Sequence, residues 1–318
     1  MPFRAMKNCV LSAVAVASVM AAVPAFALDI AWVHSNAAAQ SEQRVKAGFQ
    51  AWLKETGKSD WKVAYLDSGG SGEKTAANIQ DAASRGVGAI IISMADLRAS
   101  SAAIKEAVAQ KIPIFTVDSG SVDGTLVDVT TNNWAMSATV SPFFLNELGK
   151  NPKIIFLRMA EHHGTRKRGE TMATVLKEYP DVKVLAEHNI DYTAFFEDTT
   201  RSMQDYVTRF GDQIDGVWAP WDEPAQAALN ALKAGGNTHA KVIGIDGHPQ
   251  AIAEVCKPGS QMIATISQPF EKMGAQTGEW IEDIVVEKKP AADVIPSKVV
   301  YLDAPLVTKA NCKDFLPK

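Results

Sequence analysis

The sequence lacks the charge pattern of a nucleic-acid-binding protein and the long apolar segments of a membrane protein. Its 318 residues include 32 Lys and Arg against 36 Asp and Glu, and the basic residues form no block. A mildly acidic chain offers little to a phosphate backbone, so neither nucleic acid nor anionic lipid is expected as a partner. Past the N-terminus, no apolar run is long enough to span a membrane.

Motifs for catalysis and metal binding are also missing. Neither G-x-S-x-G nor H-E-x-x-H occurs. The stretch "SGGSGEKTA" is close to a phosphate-binding loop, but Glu73 interrupts its Gly-Lys pair, which favours a plain turn before a helix. The stretch "EHHGTRKRG", residues 161–169, lacks the histidine spacing of a metal site and indicates a solvated loop. We therefore expect no enzyme, no metal and no cofactor.

The N-terminus has the pattern of a secretory signal peptide. Arg4 and Lys7 precede the apolar run "VLSAVAVASVMAAV", and Ala25-Phe26-Ala27 follows it as a small-x-small cleavage site. We expect residues 1–27 to be removed near Ala27 and the mature chain to be exported. Two cysteines would remain, Cys256 and Cys312, and an oxidising compartment favours a disulfide between them. Two separate buried thiols are the alternative.

Apolar runs of strand length alternate with amphipathic runs of helix length along the rest of the chain. This alternation predicts parallel sheets covered by helices on both faces. The predicted strands are "LDIAWV", "WKVAYL", "GAIIIS", "IPIFTV", "KIIFLR", "VKVLAE", "DGVWAP", "KVIGID" and "MIATIS". The segments "IFTVDSG" and "KVIGIDG" occupy matching places in the two halves, so two similar α/β domains are expected to face each other.

Polar residues stand at the ends of several predicted strands. Asp118 and Asp246 end matching strands in the two halves, and ligands of open α/β sheets bind beyond the carboxyl ends of the strands. A lone Asp in such a place is more often a turn former or helix cap, but two matching ones favour a shared cleft. Further candidates in equivalent places are Ser35, Asn36, Asp222 and Gln268.

The order of these segments resembles the ribose-binding-protein type of periplasmic solute-binding protein, the sugar-binding component of ABC importers. The motifs that carry the resemblance are "IAWVHSN", "AANIQDAASRGVGAIIIS", "IPIFTVDSG", "TRKRGE", "WDEPAQAALNALKAGG", "VIGIDGHPQAIAEV" and "IATISQPFEKMGAQ". The resemblance implies two doubly wound parallel-sheet lobes joined by a hinge of three crossings, with the ligand cleft between them. It places residues 28–132 and 269–297 in one lobe and residues 133–268 and 298–318 in the other.

The resemblance also implies a set of ligand-binding residues. Asp118 matches the aspartate of the first lobe, and Arg168 matches the arginine that closes over the ligand from the second. Asp246 and Gln268 match the second-lobe aspartate and the hinge-side glutamine. Carboxylates, guanidinium and amide groups suit a polyhydroxy ligand, because they accept and donate hydrogen bonds at closely spaced hydroxyls.

This chain departs from the family pattern in its aromatic residues. The loop after the first strand reads "SNAAAQSEQ", without the aromatic pair that stacks on the sugar in relatives, and Trp221 stands where relatives often have Asn. We expect Trp221 to form an apolar wall of the cleft, aided by Phe195 or Phe196; packing within its own lobe is the alternative. His34 either donates to a ligand hydroxyl or simply ends its strand.

The function expected from the resemblance is that of a periplasmic receptor. It would bind a small carbohydrate or polyol by lobe closure, deliver it to the membrane permease of an ABC importer, and act as a monomer. A ligand-sensing adaptor for a chemoreceptor or sensor kinase is the alternative, and a carbohydrate-acting enzyme is a weaker one. The missing loop aromatics and the added Trp221 favour a ligand other than ribose, such as another pentose, a short-chain sugar or a polyol.

Overall fold

The computed structural model describes Met1 and residues 27–316. Almost all of the predicted signal peptide therefore lies outside the described residues. The strands are β1 (Asp29–His34), β2 (Lys62–Asp67), β3 (Ala89–Ser93), β4 (Ile114–Val117), β5 (Val127–Thr131), β6 (Lys153–Arg158), β7 (Lys183–Asn189), β8 (Gly216–Trp218), β9 (Lys241–Ile243), β10 (Met262–Ile266), β11 (Val299–Leu302) and β12 (Leu306–Thr308). The helices are α1 (Gln40–Glu55), α2 (Gly72–Ser84), α3 (Ser101–Ala109), α4 (Asn133–Leu148), α5 (His163–Val175), α6 (Phe195–Phe210), α7 (Asp222–Ala234), α8 (Pro249–Cys256), α9 (Phe270–Ile281) and α10 (Ala291–Val294).

The strands form two sheets of six with the same internal order. The first runs β11-β5-β4-β3-β1-β2 and the second β12-β10-β9-β8-β6-β7. All pairings are parallel except that of β12 with β10. The inner strands are buried on both faces, as the wholly inaccessible run Ile90–Ile92 illustrates, because helices cover both sides of each sheet. The predicted fold class, two doubly wound α/β lobes, is confirmed.

All nine predicted strands are present, but three further strands were missed. β5, "VDVTT", is fully buried although three of its five side chains are polar, so it lacks the apolar run that marks a buried strand. β11 and β12 have only four and three residues, and most of these are only partly buried. Short strands at sheet edges carry too little pattern to be recognised from sequence.

The chain crosses between the sheets three times, after Thr131, after Gln268 and after Leu302. The expected boundary at 297/298 is wrong, because Val299–Leu302 pairs in parallel register with Asp128–Thr131 and so extends the first sheet. We propose that residues 28–132 and 269–302 form the first lobe and residues 133–268 and 303–316 the second.

Helix α9 returns to the first lobe and lies directly against α1. Glycine makes this approach possible, since a Cβ atom on Gly274 would lie 2.0 Å from the carbonyl oxygen of Val45. Gly48 meets the backbone of Glu271 equally closely. This contact fixes the start of α9, and with it Phe270 and the second crossing, against the first lobe.

The predicted disulfide is present. Cys256 at the end of α8 is bonded to Cys312 in the C-terminal segment, with Cα atoms 5.7 Å apart. The bridge anchors the C-terminal segment to the second lobe. In the part of the chain that the structure describes, no helix combines the length and apolarity needed to cross a membrane.

We predict that the double variant Cys256→Ser/Cys312→Ser loses about 2–4 kcal/mol of unfolding free energy, because the bridge restricts the unfolded chain. Urea unfolding followed by circular dichroism measures the loss. Dithiothreitol should lower the unfolding midpoint of the parent to that of the variant and leave the variant unchanged. Equal midpoints of parent and variant without reductant would contradict the stabilising role.

Candidate functional site

A small cavity of about 30 Å³ lies between the two lobes, beyond the carboxyl ends of their strands. Both lobes and the hinge contribute to its wall. The lining residues are Ala39, Ser41, Met94, Asp118, Met159, His162, Thr165, Arg168, Tyr192, Trp221, Asp246 and Phe270. Four of the residues singled out from the sequence thus meet in one place: Asp118, Arg168, Trp221 and Asp246.

Asp118 follows β4 in the first lobe and is buried. Its Oδ1 atom accepts hydrogen bonds from the Thr130 hydroxyl at 2.6 Å and from Asn133 Nδ2 at 3.1 Å. Burial alone would raise the pKa of Asp118, but the neighbouring His162 and Arg168 outweigh it and lower the pKa below its ordinary value. Asp118 is therefore an ionised acceptor.

Arg168 projects from α5 of the second lobe and is also buried. Its Nε donates to Asn133 Oδ1 at 2.6 Å, and its Nη1 donates to the Pro220 carbonyl at 2.9 Å and to Asp246 Oδ1 at 3.1 Å. Its Nη2 lies 3.9 Å from Asp118 Oδ2, beyond hydrogen-bond distance. Three committed donor contacts hold the guanidinium in one orientation, with Nη2 directed toward the carboxylate of the other lobe.

Asp246 follows β9, and Gln268 stands at the second crossing. Gln268 Nε2 donates to Asp246 Oδ1 at 2.6 Å, and Gln268 Oε1 accepts from the Thr131 hydroxyl of the first lobe. Gln268 does not line the cavity; it links the hinge to the carboxylate that does. Burial raises the pKa of Asp246 to about 6, against the lowering effect of Arg168 and His248.

Each of the three charged groups keeps part of its hydrogen-bonding capacity. Among the described residues, Asp118 Oδ2, Asp246 Oδ2 and Arg168 Nη2 make no hydrogen bond, whereas the other oxygen of each carboxylate is fully engaged. Two anionic acceptors and one cationic donor therefore converge on the cavity from both lobes. This set can accept hydrogen bonds from two hydroxyl groups and donate to an oxygen between them.

The aromatic wall of the cavity comes from the second lobe. Trp221 is 4% exposed, and its indole nitrogen donates to Glu223 Oε2 at 3.1 Å. Tyr192 stands edge-on to it, with ring centroids 6.4 Å apart, and lines the cavity as well. Sequence reasoning missed Tyr192, which lies in the short connection between β7 and α6.

The two phenylalanines proposed as partners of Trp221 do not reach the cavity. Phe195 is buried behind Trp221, with ring centroids 5.7 Å apart, and supports it from inside the lobe. Phe196 is 40% exposed and lines a separate surface pocket. Both begin α6, and successive residues of a helix point in different directions, so one faces the core and the next faces outward.

The three candidates at the end of β1 lie around the cavity rather than in it. His34 is buried between Trp32 and Tyr65, and its Nδ1 lies 2.8 Å from Glu42 Oε2. His34 ends its strand and does not line the cavity. Asn36 Nδ2 donates across the lobes to the Tyr192 carbonyl at 3.0 Å. Ser35 lines a second cavity that lies next to this one.

Asp222 has a structural role in the second lobe. As the first residue of α7, it accepts hydrogen bonds from the Thr265 hydroxyl at 2.7 Å and from the backbone N–H of His248 at 2.8 Å. Its side chain is thereby occupied and does not line the cavity. The alternative reading of a strand-end aspartate, as a helix and turn former, applies here.

The stretch "EHHGTRKRG" is not the solvated loop that we predicted. His162 and His163 are buried at the start of α5, and His162 Nε2 lies 3.0 Å from the Asp118 carbonyl oxygen of the other lobe. Burial lowers the pKa of His162, which keeps the ring neutral at pH 7. His162 and Thr165 line the cavity. They were not recognised from the sequence because the polar stretch that contains them indicated a solvated loop.

Comparisons with known proteins identify the family of the chain. The family model described as "Periplasmic binding protein domain" matches residues 30–289. The ribose import binding protein of Salmonella typhimurium is 29% identical over 75% of this chain and 79% of its own. A xylitol-binding protein of Mycolicibacterium smegmatis is 27% identical over 74% of this chain and 65% of its own.

The fold has close structural counterparts. A solute-binding protein of an ABC transporter from Agrobacterium vitis, solved with bound allitol, superimposes with a TM-score of 0.80, at 22% identity, over 90% of this chain and 97% of its own. The relatives of this kind are transport binding proteins and not enzymes. The chain belongs to the periplasmic binding protein family, and within it to the ribose-binding type.

Proposed function

We propose that the protein is an exported receptor that captures a small neutral carbohydrate or polyol by lobe closure and delivers it to the permease of an ABC importer. The observation that carries the proposal is the convergence of Asp118 Oδ2, Asp246 Oδ2 and Arg168 Nη2 on one interlobe cavity beside Trp221. Charged donors and acceptors serve the hydroxyl groups, and the indole face serves the C–H face of the ligand.

Charge balance within the site favours a neutral ligand. Asp118 and Asp246 bring two carboxylates against the positive charge of Arg168, and His248, 3.6 Å from Asp246, is offset by Glu223 at 3.7 Å. An anionic ligand would face a net excess of negative charge in a buried site, where repulsion is only weakly screened. Ribose and xylitol, the ligands in the names of two relatives, are neutral polyhydroxy compounds.

Closure follows from the position of the charged groups on opposite lobes. Asp118 belongs to the first lobe, while Arg168 and Asp246 belong to the second, so only the closed form presents all three to one ligand. A ligand that contacts both lobes shifts the population toward the closed form, because it binds that form better. We propose that this closed form, as a monomer, is what the permease recognises.

We predict that a thermal-shift screen over tetroses, pentoses, hexoses and polyols finds a ligand for the mature protein, since a ligand of the native state raises the melting temperature. Asp118→Asn should then lower the affinity for that ligand by about 10- to 100-fold in calorimetry, because one charge-assisted hydrogen bond is lost. Asp181→Asn, at an exposed position, is the matched control. No response to any carbohydrate or polyol would refute the proposal.

We predict that Trp221→Ala lowers the affinity for the same ligand by about tenfold or more, because the cavity loses the indole ring of its wall. Trp134→Ala removes an indole that is 46% exposed and lies outside the cavity, so it should leave affinity unchanged. Titration calorimetry on both variants makes the comparison. Equal affinity of Trp221→Ala and the parent would mean that Trp221 serves only the packing of its own lobe.

We predict that ligand affinity is constant above about pH 7 and falls as the pH drops through about 6, the raised pKa of Asp246. Hydroxyl donors stabilise the ionised carboxylate, so a protonated Asp246 must lose its proton on binding. Calorimetry at pH 7.5, 6 and 5 measures the change, and Asp246→Asn should abolish this dependence. An affinity that stays level over this range in the parent would exclude the role given to ionised Asp246.

A further inference from the structure

A second cavity opens directly beside the ligand cavity. This outer cavity measures about 430 Å³, within the usual range for small-molecule sites, against about 30 Å³ for the inner one. The two share Met94, His162 and Tyr192 as lining residues, so they lie next to each other between the lobes. A ligand that exceeds the inner cavity would therefore extend toward the outer one while the lobes are closed.

The outer cavity is wide because one wall carries almost no side chains. Gly70, Gly72 and Ala99 of the first lobe line it. A Cβ atom on Gly72 would lie 3.3 Å from the Cβ of Ala99, so side chains at these two positions of the cavity wall would contact each other. Gly70, with φ of 82°, passes so close to the second lobe that its Cβ would lie 3.0 Å from the Tyr192 carbonyl oxygen.

The charged groups at the rim of the outer cavity balance one another, since Arg98 and Arg166 stand against Asp96 and Glu161. Asp96 accepts hydrogen bonds from Arg98 and, across the lobes, from Arg166 at 3.1 Å. Glu161 accepts from the Asn189 side chain at 3.1 Å. The rim thus carries no surplus of one charge, which favours a neutral occupant over a phosphate or a carboxylate.

The floor of the outer cavity suits the C–H face of a sugar ring or the apolar group of a glycoside. Tyr192 and Met94 provide aromatic and thioether surface that is continuous with the inner cavity. The outer space also borders the start of α2 at Gly72, where the first N–H groups of the helix have no partner within it. An apolar floor with polar groups at its edge is the usual composition of a carbohydrate subsite.

We propose that the outer cavity is a second ligand subsite and that the physiological ligand is a neutral two-unit compound, a disaccharide or a glycoside. One unit is held by Asp118, Arg168 and Asp246, and the second lies on Tyr192 beside Gly72 and Ala99. This inference rests on the proposed receptor function, and it extends that function by naming the class of ligand.

The test compares single sugars with two-unit compounds by titration calorimetry: xylose with xylobiose, arabinose with arabinobiose, and ribose with its methyl and phenyl ribosides. We expect the larger member of at least one pair to bind at least tenfold more tightly. Ala99→Trp and, independently, Gly72→Leu should remove that gain, because both fill the outer cavity. Ala102→Trp, on an exposed face of α3 outside the outer cavity, is the matched control and should keep it.

The outcomes separate this inference from the proposed function. Binding of single sugars with no gain for any two-unit compound would overturn the second subsite and leave the receptor function intact. The subsite is equally refuted if Ala99→Trp and Gly72→Leu retain the full gain. Failure of every carbohydrate to bind would overturn the receptor function itself.

Discussion

The structure depends on one electrostatic arrangement, an arginine of the second lobe held between carboxylates of both lobes. Arg168 Nη1 is bonded to Asp246 at 3.1 Å within its own lobe, while its Nη2 lies 3.9 Å from Asp118 of the other. Buried charges are tolerated only when they are paired and hydrogen-bonded. The pairing within the second lobe is complete, and the pairing across the lobes is left open by about the distance that a ligand oxygen can bridge.

The doubled fold is what creates this arrangement. Two sheets with the same strand order place their carboxyl ends against each other, so the aspartates after β4 and β9 meet although they are distant in sequence. Three crossings join the lobes, and Gln268 at the second crossing is hydrogen-bonded both to Asp246 and to Thr131 of the first lobe. Gln268 thereby connects a carboxylate of the cavity to the second crossing.

The charged residues of the site were predicted from the sequence, whereas several other residues that line the cavity were not. Asp118, Arg168 and Asp246 were accessible to it because they follow apolar strand patterns or match motifs of the family. Tyr192 and His162 were missed because they lie in connecting segments, whose course depends on contacts made across the cleft. To decide between Phe195 and Phe196, one must know how α6 is rotated about its axis. The two N-terminal residues alone do not define this rotation.

The same limitation applies to parts of the fold. Strand β5 was not recognised because a buried strand that carries Asp128, Thr130 and Thr131 among its five residues has the composition of a loop. Burial and repulsion from Asp118 raise the pKa of Asp128 to about 7, which shows how unfavourable its ionised form is in that place. Strands that carry polar residues beside a functional site lack the apolar periodicity by which strands are recognised, because these residues serve the site rather than the core.

The central claim is that a ligand completes the incomplete pairing between the lobes. The most direct test is a crystal structure of the mature protein with the ligand that gives the largest thermal shift. The account predicts ligand hydroxyl groups at about 2.6–2.9 Å from Asp118 Oδ2 and Asp246 Oδ2, with Arg168 Nη2 donating to a ligand oxygen. A ligand bound elsewhere, or one that contacts a single lobe and leaves Arg168 Nη2 and Asp118 Oδ2 unbridged, would contradict it.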